Sequence, residues 1–230
     1  MSTRGRLAGT VLFLLLFLPA LAWSGGVRGT DVERILREVG ETQKTIRTLQ
    51  GSFRQEKTIG LLAAPEVSTG SFVYSRPNQA LWSYRAPHRV EMLVSDGWLT
   101  TWYPDLDRAE RIEIRRFEER IFRYLGAVSG AISDLDSYFH VQRLDDGSGR
   151  HHVLELTPKS ARLGKRVRRI RVTIDRESHL TSSLEYEEGD GDTTRYDFSD
   201  LRINAPLAAG ALELSLPPTV RIETLVAGSK

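Results

Sequence analysis

The chain has 230 residues, with 32 Lys and Arg against 30 Asp and Glu for a formal net charge of +2. It contains no cysteine, which excludes a disulfide framework and every thiolate metal site. So even a charge balance gives no electrostatic ground for a nucleic-acid partner.

In chain order, residues 1–22 read as a cleavable signal peptide. Arg4 and Arg6 form a positive n-region, VLFLLLFLPALA an apolar h-region, and Ala20-Leu21-Ala22 a small-residue cleavage site. Removing the signal takes away two arginines and no acid, leaving 30 residues of each sign. The expectation is an exported, periplasmic protein in which residues 23–230 make a single domain. With no cysteine to take a lipid, it would not be lipid-anchored.

From Thr30 the apolar positions Val32, Ile35, Leu36, Val39, Ile46 and Leu49 follow a helical period as far as Gly51, with Asp31 and Glu33 in the first turn. Thr30 is the expected N-cap. The period then changes to two. Phe53 and Gln55 open a strand, and TGSFVYS, ALWSYRA, RVEMLVS, WLTTWYP and AERIEIR follow, separated by Pro and Asp-rich turns. Ser95-Asp96-Gly97 marks a tight hairpin. Phe117–Gly126 is a second helical stripe and Val128–Leu135 a third short one. Strands resume from YFHVQRL to TTRYDFSDLRI, and ALELSLPPTVRIET closes the chain. The expected fold is mainly β with some α: a curved antiparallel sheet of about ten strands, long enough to curl, covered by an N-terminal helix and short mid-chain helices.

No catalytic or metal constellation emerges. His151 and His152 are adjacent and would point to opposite faces of a strand, and no G-x-S-x-G, P-loop or H-E-x-x-H is present. The basic run KSARLGKRVRRIR (residues 159–171) reads as a solvated outer face salted against acids such as Glu185 and Glu187, or as a partner patch. Seven of the nineteen aromatics fall between Phe72 and Tyr103. Phe72 and Tyr74, Trp82 and Tyr84, and Trp98 and Trp102 each share a strand face. They fit either a plain sheet core or the lining of a wide apolar pocket.

The series GSFRQEK (51–57), TGSFVYSRPNQALWSYRAP (69–87), LVSDGWLTTWYPDLDRAERIEI (93–114), LELTPK (154–159), IRVTIDRESHLTSSLEYEEGDGDTTRYDFSDLRIN (170–204) and LPPTVRI (216–222) resembles the periplasmic outer-membrane lipoprotein carrier family, the LolA-like proteins. The resemblance implies an unclosed β-barrel whose cavity carries the acyl chains of triacylated lipoproteins. It implies loading by an inner-membrane ABC-type complex, delivery to a lipid-anchored outer-membrane receptor, no cofactor, no catalysis and a monomeric state. It implies a lid latch at Arg76, the arginine before proline, which on residues alone reads as a surface arginine. Phe72, Tyr74, Trp82, Tyr84, Trp98, Trp102, Phe117, Ile121 and Phe122 are the expected cavity lining. Ala80 departs from the family's large apolar residue at that position. Two alternatives stand beside this one: a carrier of another lipid, and a regulator that senses lipid or lipoprotein on the same fold. An exported enzyme with an apolar substrate finds no residue set to support it.

Overall fold

The computed structural model describes residues 30–60, 62, 64–115 and 138–225. Helix α1 spans Thr30–Thr45, with Asp31 and Glu33 at its positive end and Lys44 in its last turn. It ends earlier than the apolar period suggests. Thr30 is already helical, and Leu49 lies in the first strand. The reason is that Leu49 is buried under either geometry, so its spacing does not discriminate, and pairing on both sides captures the segment as strand.

Twelve strands follow among the described residues: β1 Thr48–Thr58, β2 Glu66–Ser75, β3 Gln79–Ala86, β4 Val90–Ser95, β5 Trp98–Tyr103, β6 Arg108–Glu113, β7 Phe139–Leu144, β8 His151–Pro158, β9 Val167–Asp175, β10 Thr181–Glu188, β11 Thr193–Ile203 and β12 Ile222–Leu225. A one-turn helix, α2 (Ala161–Gly164), capped by the Ser160 side chain, joins β8 to β9. The strands form one sheet in the order β12-β6-β5-β4-β3-β2-β1-β11-β10-β9-β8-β7. Its two edges, β12 and β7, are not paired to each other, so the curved sheet is unclosed. Asp96 and Gly97, both at positive φ, make the two-residue β4–β5 turn. The expected helices at Phe117–Gly126 and Val128–Leu135 lie outside the described residues.

The meander is not wholly antiparallel as expected, because β12 pairs with β6 in parallel. Nor is ALELSLPPTVRIET a strand throughout; only Ile222–Leu225 pairs. β11 ends beside β1, so residues 204–221 must cross five intervening strands, β1 to β5, to reach β6. The crossing begins on the face to which Thr48 and Gln50 point: Thr48 Oγ1 donates to the Ala205 carbonyl (3.2 Å) and Gln50 Nε2 to that of Pro206 (3.5 Å).

The register divides the sheet into two faces. On one, α1 sets Val32, Ile35, Leu36 and Val39 against Phe139, Leu154, Leu156, Val172 and Ile174. Burial of four such side chains contributes roughly 6–12 kcal/mol before entropy is counted. The other face carries a row of alternating charge, Glu155–Arg171–Glu185–Arg195–Glu56, paired strand to strand from β8 to β1. Within the run at 159–171, Arg168, Arg169 and Arg171 are paired with acids of β8 and β10. Arg171 Nη2 lies 2.9 Å from Glu155, and Arg169 lies 3.2 Å from Glu187.

Candidate functional site

Beyond the reach of α1, the helix-bearing face becomes a continuous aromatic bed. Phe53 of β1 stacks on Trp82 of β3 (centroids 4.8 Å) and meets Tyr84 edge-on (4.9 Å). Phe72 of β2 stacks on the other side of Trp82 (5.0 Å) and meets Phe198 of β11 edge-on (5.8 Å). Tyr196 and Phe198 stack at 6.1 Å. Tyr74 packs against the same cluster, and Met92, Val94, Leu99 and Ile114 continue it toward β6.

The Phe53–Trp82, Phe53–Tyr84 and Phe72–Phe198 contacts bridge strands that are not neighbours, and glycine makes that possible. The cross-strand pairs are Gly51 with Phe72 and Phe53 with Gly70. Each ring lies over the glycine opposite. A Cβ on Gly70 would sit 2.5 Å from Phe53 Cζ and 2.2 Å from the Ser83 carbonyl. One on Gly51 would sit 3.1 Å from Phe72 Cε1. With no side chain in between, Phe53 reaches across β2 to β3 and Phe72 reaches across β1 to β11. The GSF pairs at 51–53 and 70–72 are the sequence signature of this interleaving.

The bed carries no charge near neutral pH. Burial pushes the Tyr84, Tyr186 and Tyr196 phenols upward, and Tyr84 Oη and Tyr196 Oη share a hydrogen bond at 3.4 Å. Burying one strong dipole against another is the least costly way to hold two hydroxyls in an apolar wall.

Arg76, at the end of β2, aims its guanidinium at the C-terminus of α1. Its Nη2 donates to the Gln43 carbonyl at 2.8 Å, and its backbone N–H donates to the Arg47 carbonyl at 2.8 Å. The last carbonyls of a helix have no intrahelical partner, so a cation there supplies both a donor and a favourable charge. Asn204, at φ 53° just past β11, completes the anchoring: its Nδ2 donates to the Thr45 carbonyl (2.9 Å) while its Oδ1 accepts from Arg47 N–H (2.7 Å). Asn204 escaped the sequence reading; an Asn closing a strand is the one signal it offers, because Asn tolerates the left-handed region.

Phe72, Tyr74, Trp82 and Tyr84 come together as expected. Trp98 and Trp102 do not join them. Met92 pairs with Thr101 and Glu91 with Trp102, so both tryptophans lie on the face opposite Trp82. There Arg111 stacks over the Trp98 ring at 4.5 Å, and Trp102, on the face that residues 204–221 begin to cross, is only 8% exposed. Their common spacing of four residues put them on one face, but period alone does not say which. Phe117, Ile121 and Phe122 lie outside the described residues. Ala80 sits on the aromatic side, paired with Tyr74 and Val94, and is buried.

Comparison with known proteins adds to this geometry. Residues 44–215 match the family described as "Outer membrane lipoprotein carrier protein LolA". An outer-membrane lipoprotein carrier protein of Cupriavidus taiwanensis is 30% identical over 177 residues, covering 75% of this chain and 79% of the relative. One from Bordetella avium is 28% identical over 214 residues, covering 93% and 94%. Among solved structures, an uncharacterized conserved protein from Thermus thermophilus superposes with a TM-score of 0.54 at 6% identity, covering 85% of this chain and all of that one. A chain of the Pseudomonas aeruginosa MucA/MucB complex gives 0.50 at 18%, covering 81% of this chain and 62% of that chain. At such identities the two structures share the fold alone. The chain belongs to the outer membrane lipoprotein carrier protein family, LolA.

Proposed function

We propose that this protein is a periplasmic carrier that holds the acyl chains of lipoproteins against the aromatic bed between β1–β4, β11 and the end of α1, and moves them between membranes. The observation that supports it is a wall of interlocked rings, uncharged near neutral pH, within a family of lipoprotein carriers. Phe72, Tyr74, Trp82 and Tyr84 line that wall. The rings pack on one another, so loading requires acyl chains to part them. Arg76 serves as the latch, its bond to the Gln43 carbonyl holding the end of α1 down until cargo displaces it.

Energetics explain why a latch is useful. At ~0.8 kcal/mol per CH₂, exposing three chains of roughly fifteen carbons would cost about 35 kcal/mol, more than the roughly 20 kcal/mol that any non-covalent site supplies. The carrier therefore offers an environment nearly as apolar as a membrane, and loading and unloading are driven from outside by an inner-membrane ABC-type complex and an outer-membrane receptor. The carrier does no catalysis and needs no cofactor in this reading.

The test is to express the mature chain in a periplasm, purify it without detergent, and identify what travels with it by native mass spectrometry. One-to-one complexes with triacylated lipoproteins are expected. Bound glycolipid or phospholipid alone would make it a carrier of another lipid. An empty protein that also binds no apolar dye would reduce the bed to ordinary core.

A further inference from the structure

A second concavity lies on the helix-bearing side, near the N-terminal half of α1 and away from the aromatic bed. It measures about 560 Å³ and is lined by Arg34, Glu38, Arg143, His152, Arg176 and His179. Four elements converge on it. α1 supplies Arg34 and Glu38, β7 supplies Arg143, β8 supplies His152, and the β9–β10 turn supplies Arg176 and His179.

The turn is built to present its two residues. Asp175 Oδ1 accepts from the N–H groups of Glu177 and Ser178 and from Ser178 Oγ (3.2, 2.8 and 2.8 Å), and His179 N–H returns to the Asp175 carbonyl. His179 takes φ 55°. Arg176 is fixed by its backbone N–H to the Arg150 carbonyl (3.1 Å) and its Nε to the His151 carbonyl (3.2 Å).

The charges do not cancel. Glu38 is engaged by Arg34 Nη1 at 3.1 and 3.2 Å. Asp31, outside the concavity, sits 3.0 Å from Arg143 and 3.8 Å from Arg34. Arg176, which lines the concavity, has no carboxylate within ion-pair distance among the described residues. His152 is 5% exposed, and its Nδ1, like that of His179, is buried without a hydrogen-bond partner among the described residues. A buried unpaired imidazole nitrogen costs free energy, so both rings are held there at some cost to the fold. Burial, then the Arg176, Arg143 and Arg34 charges, hold the His152 imidazole below its ordinary value, as a surplus of positive charge requires.

Three guanidinium groups and two imidazoles around one site supply planar, directional donors suited to the oxygens of a tetrahedral anion. We propose that this concavity is a phosphate-binding site, occupied by free phosphate or by the phosphate headgroup of a lipid. It is separate from the aromatic bed and does not depend on acyl carriage.

The test follows the His152 and His179 imidazole resonances of the mature chain by NMR at constant ionic strength. Three probes are titrated: inorganic phosphate, soluble dihexanoyl phosphatidylglycerol, and dihexanoylglycerol, which has acyl chains but no phosphate. Saturable shifts of both imidazoles with inorganic phosphate identify a free-anion site. Shifts with the phospholipid but with neither other probe identify a headgroup site. In either case Arg176→Gln and Arg34→Gln are each expected to weaken binding at least tenfold, while Arg202→Gln, on the opposite face, leaves it unchanged. Unperturbed methyl spectra confirm that the variants fold. No imidazole response to either phosphate probe, an equal response to chloride, or wild-type affinity in Arg176→Gln overturns the site. A response of Trp82 to dihexanoylglycerol with silent imidazoles removes this site and leaves acyl carriage standing.

Discussion

Gly70 shows how much one absent side chain decides. Its Cβ would collide with the Ser83 carbonyl and with the ring of Phe53, neither of which can move without unstacking Trp82. Gly70→Val is expected to cost about 3 kcal/mol in denaturant unfolding, at the upper end of overpacking. Gly40 is the contrast: it lies inside α1, where an added methyl would meet nothing within 4 Å, so Gly40→Ala is expected to stabilise by up to about 1 kcal/mol. Arg76 belongs to this scale too. Arg76→Leu removes a charge-assisted bond to a helix-terminal carbonyl, with an expected loss of about 1–2 kcal/mol. Its larger effect is on transfer: the variant should load lipoprotein and release it slowly to an acceptor membrane fraction. Normal release would remove the latch and leave Arg76 a helix anchor.

At the scale of elements, the strands β8 to β1 show two chemistries on one ladder. Leu154, Val172, Leu184 and Tyr196 point to the helix-bearing side along one row, while Glu155, Arg171, Glu185 and Arg195 alternate in sign on the other. Like charges directly opposite would destabilise the pairing, and alternation avoids it. The Arg171 hydrogen bond, aided by Gln142 and Arg169, holds the Glu155 carboxyl below its ordinary value. A depressed carboxylate contributes stability above its unfolded pKa, and that contribution is lost as pH falls through the folded value. Glu155→Gln should therefore be less stable than the parent by about 1 kcal/mol at pH 7. The gap should close on acidification below the usual carboxylate range, as followed by denaturant melts at several pH values. A gap that persists at low pH would mean that Glu155 acts through packing.

For the whole molecule, an open sheet with one edge at β7 and the other at β12 leaves the faces, not a closed lumen, to sort function. Tryptophan reports on this directly. In variants retaining only Trp82, a brominated fatty acid is expected to quench fluorescence by several-fold more than in variants retaining only Trp98 or only Trp102. Equal quenching at all three would place acyl chains on both faces and contradict the assignment of the bed.

Period-two alternation, the Asp96-Gly97 turn, the α1 stripe and the absence of cysteine are local properties, so the chain order of elements, the broad fold and the family resemblance were legible in the amino-acid sequence. The face taken by each strand was not. Trp98 and Trp102 share a parity that fits either side, and only pairing with β4 and β6 assigns it. The end of α1 at Thr45 depended on Asn204 and Arg76, which are 159 and 31 positions away. β12 lies in parallel beside β6 because residues 204–221 cross the sheet, a contact no local period encodes. The cleft of Arg34, Arg143, His152, Arg176 and His179 draws on four elements spread over some 145 positions. Sequence alone specifies what repeats along the chain, through sterics and burial at short range; which distant residues share a surface is decided only when the strands take their register.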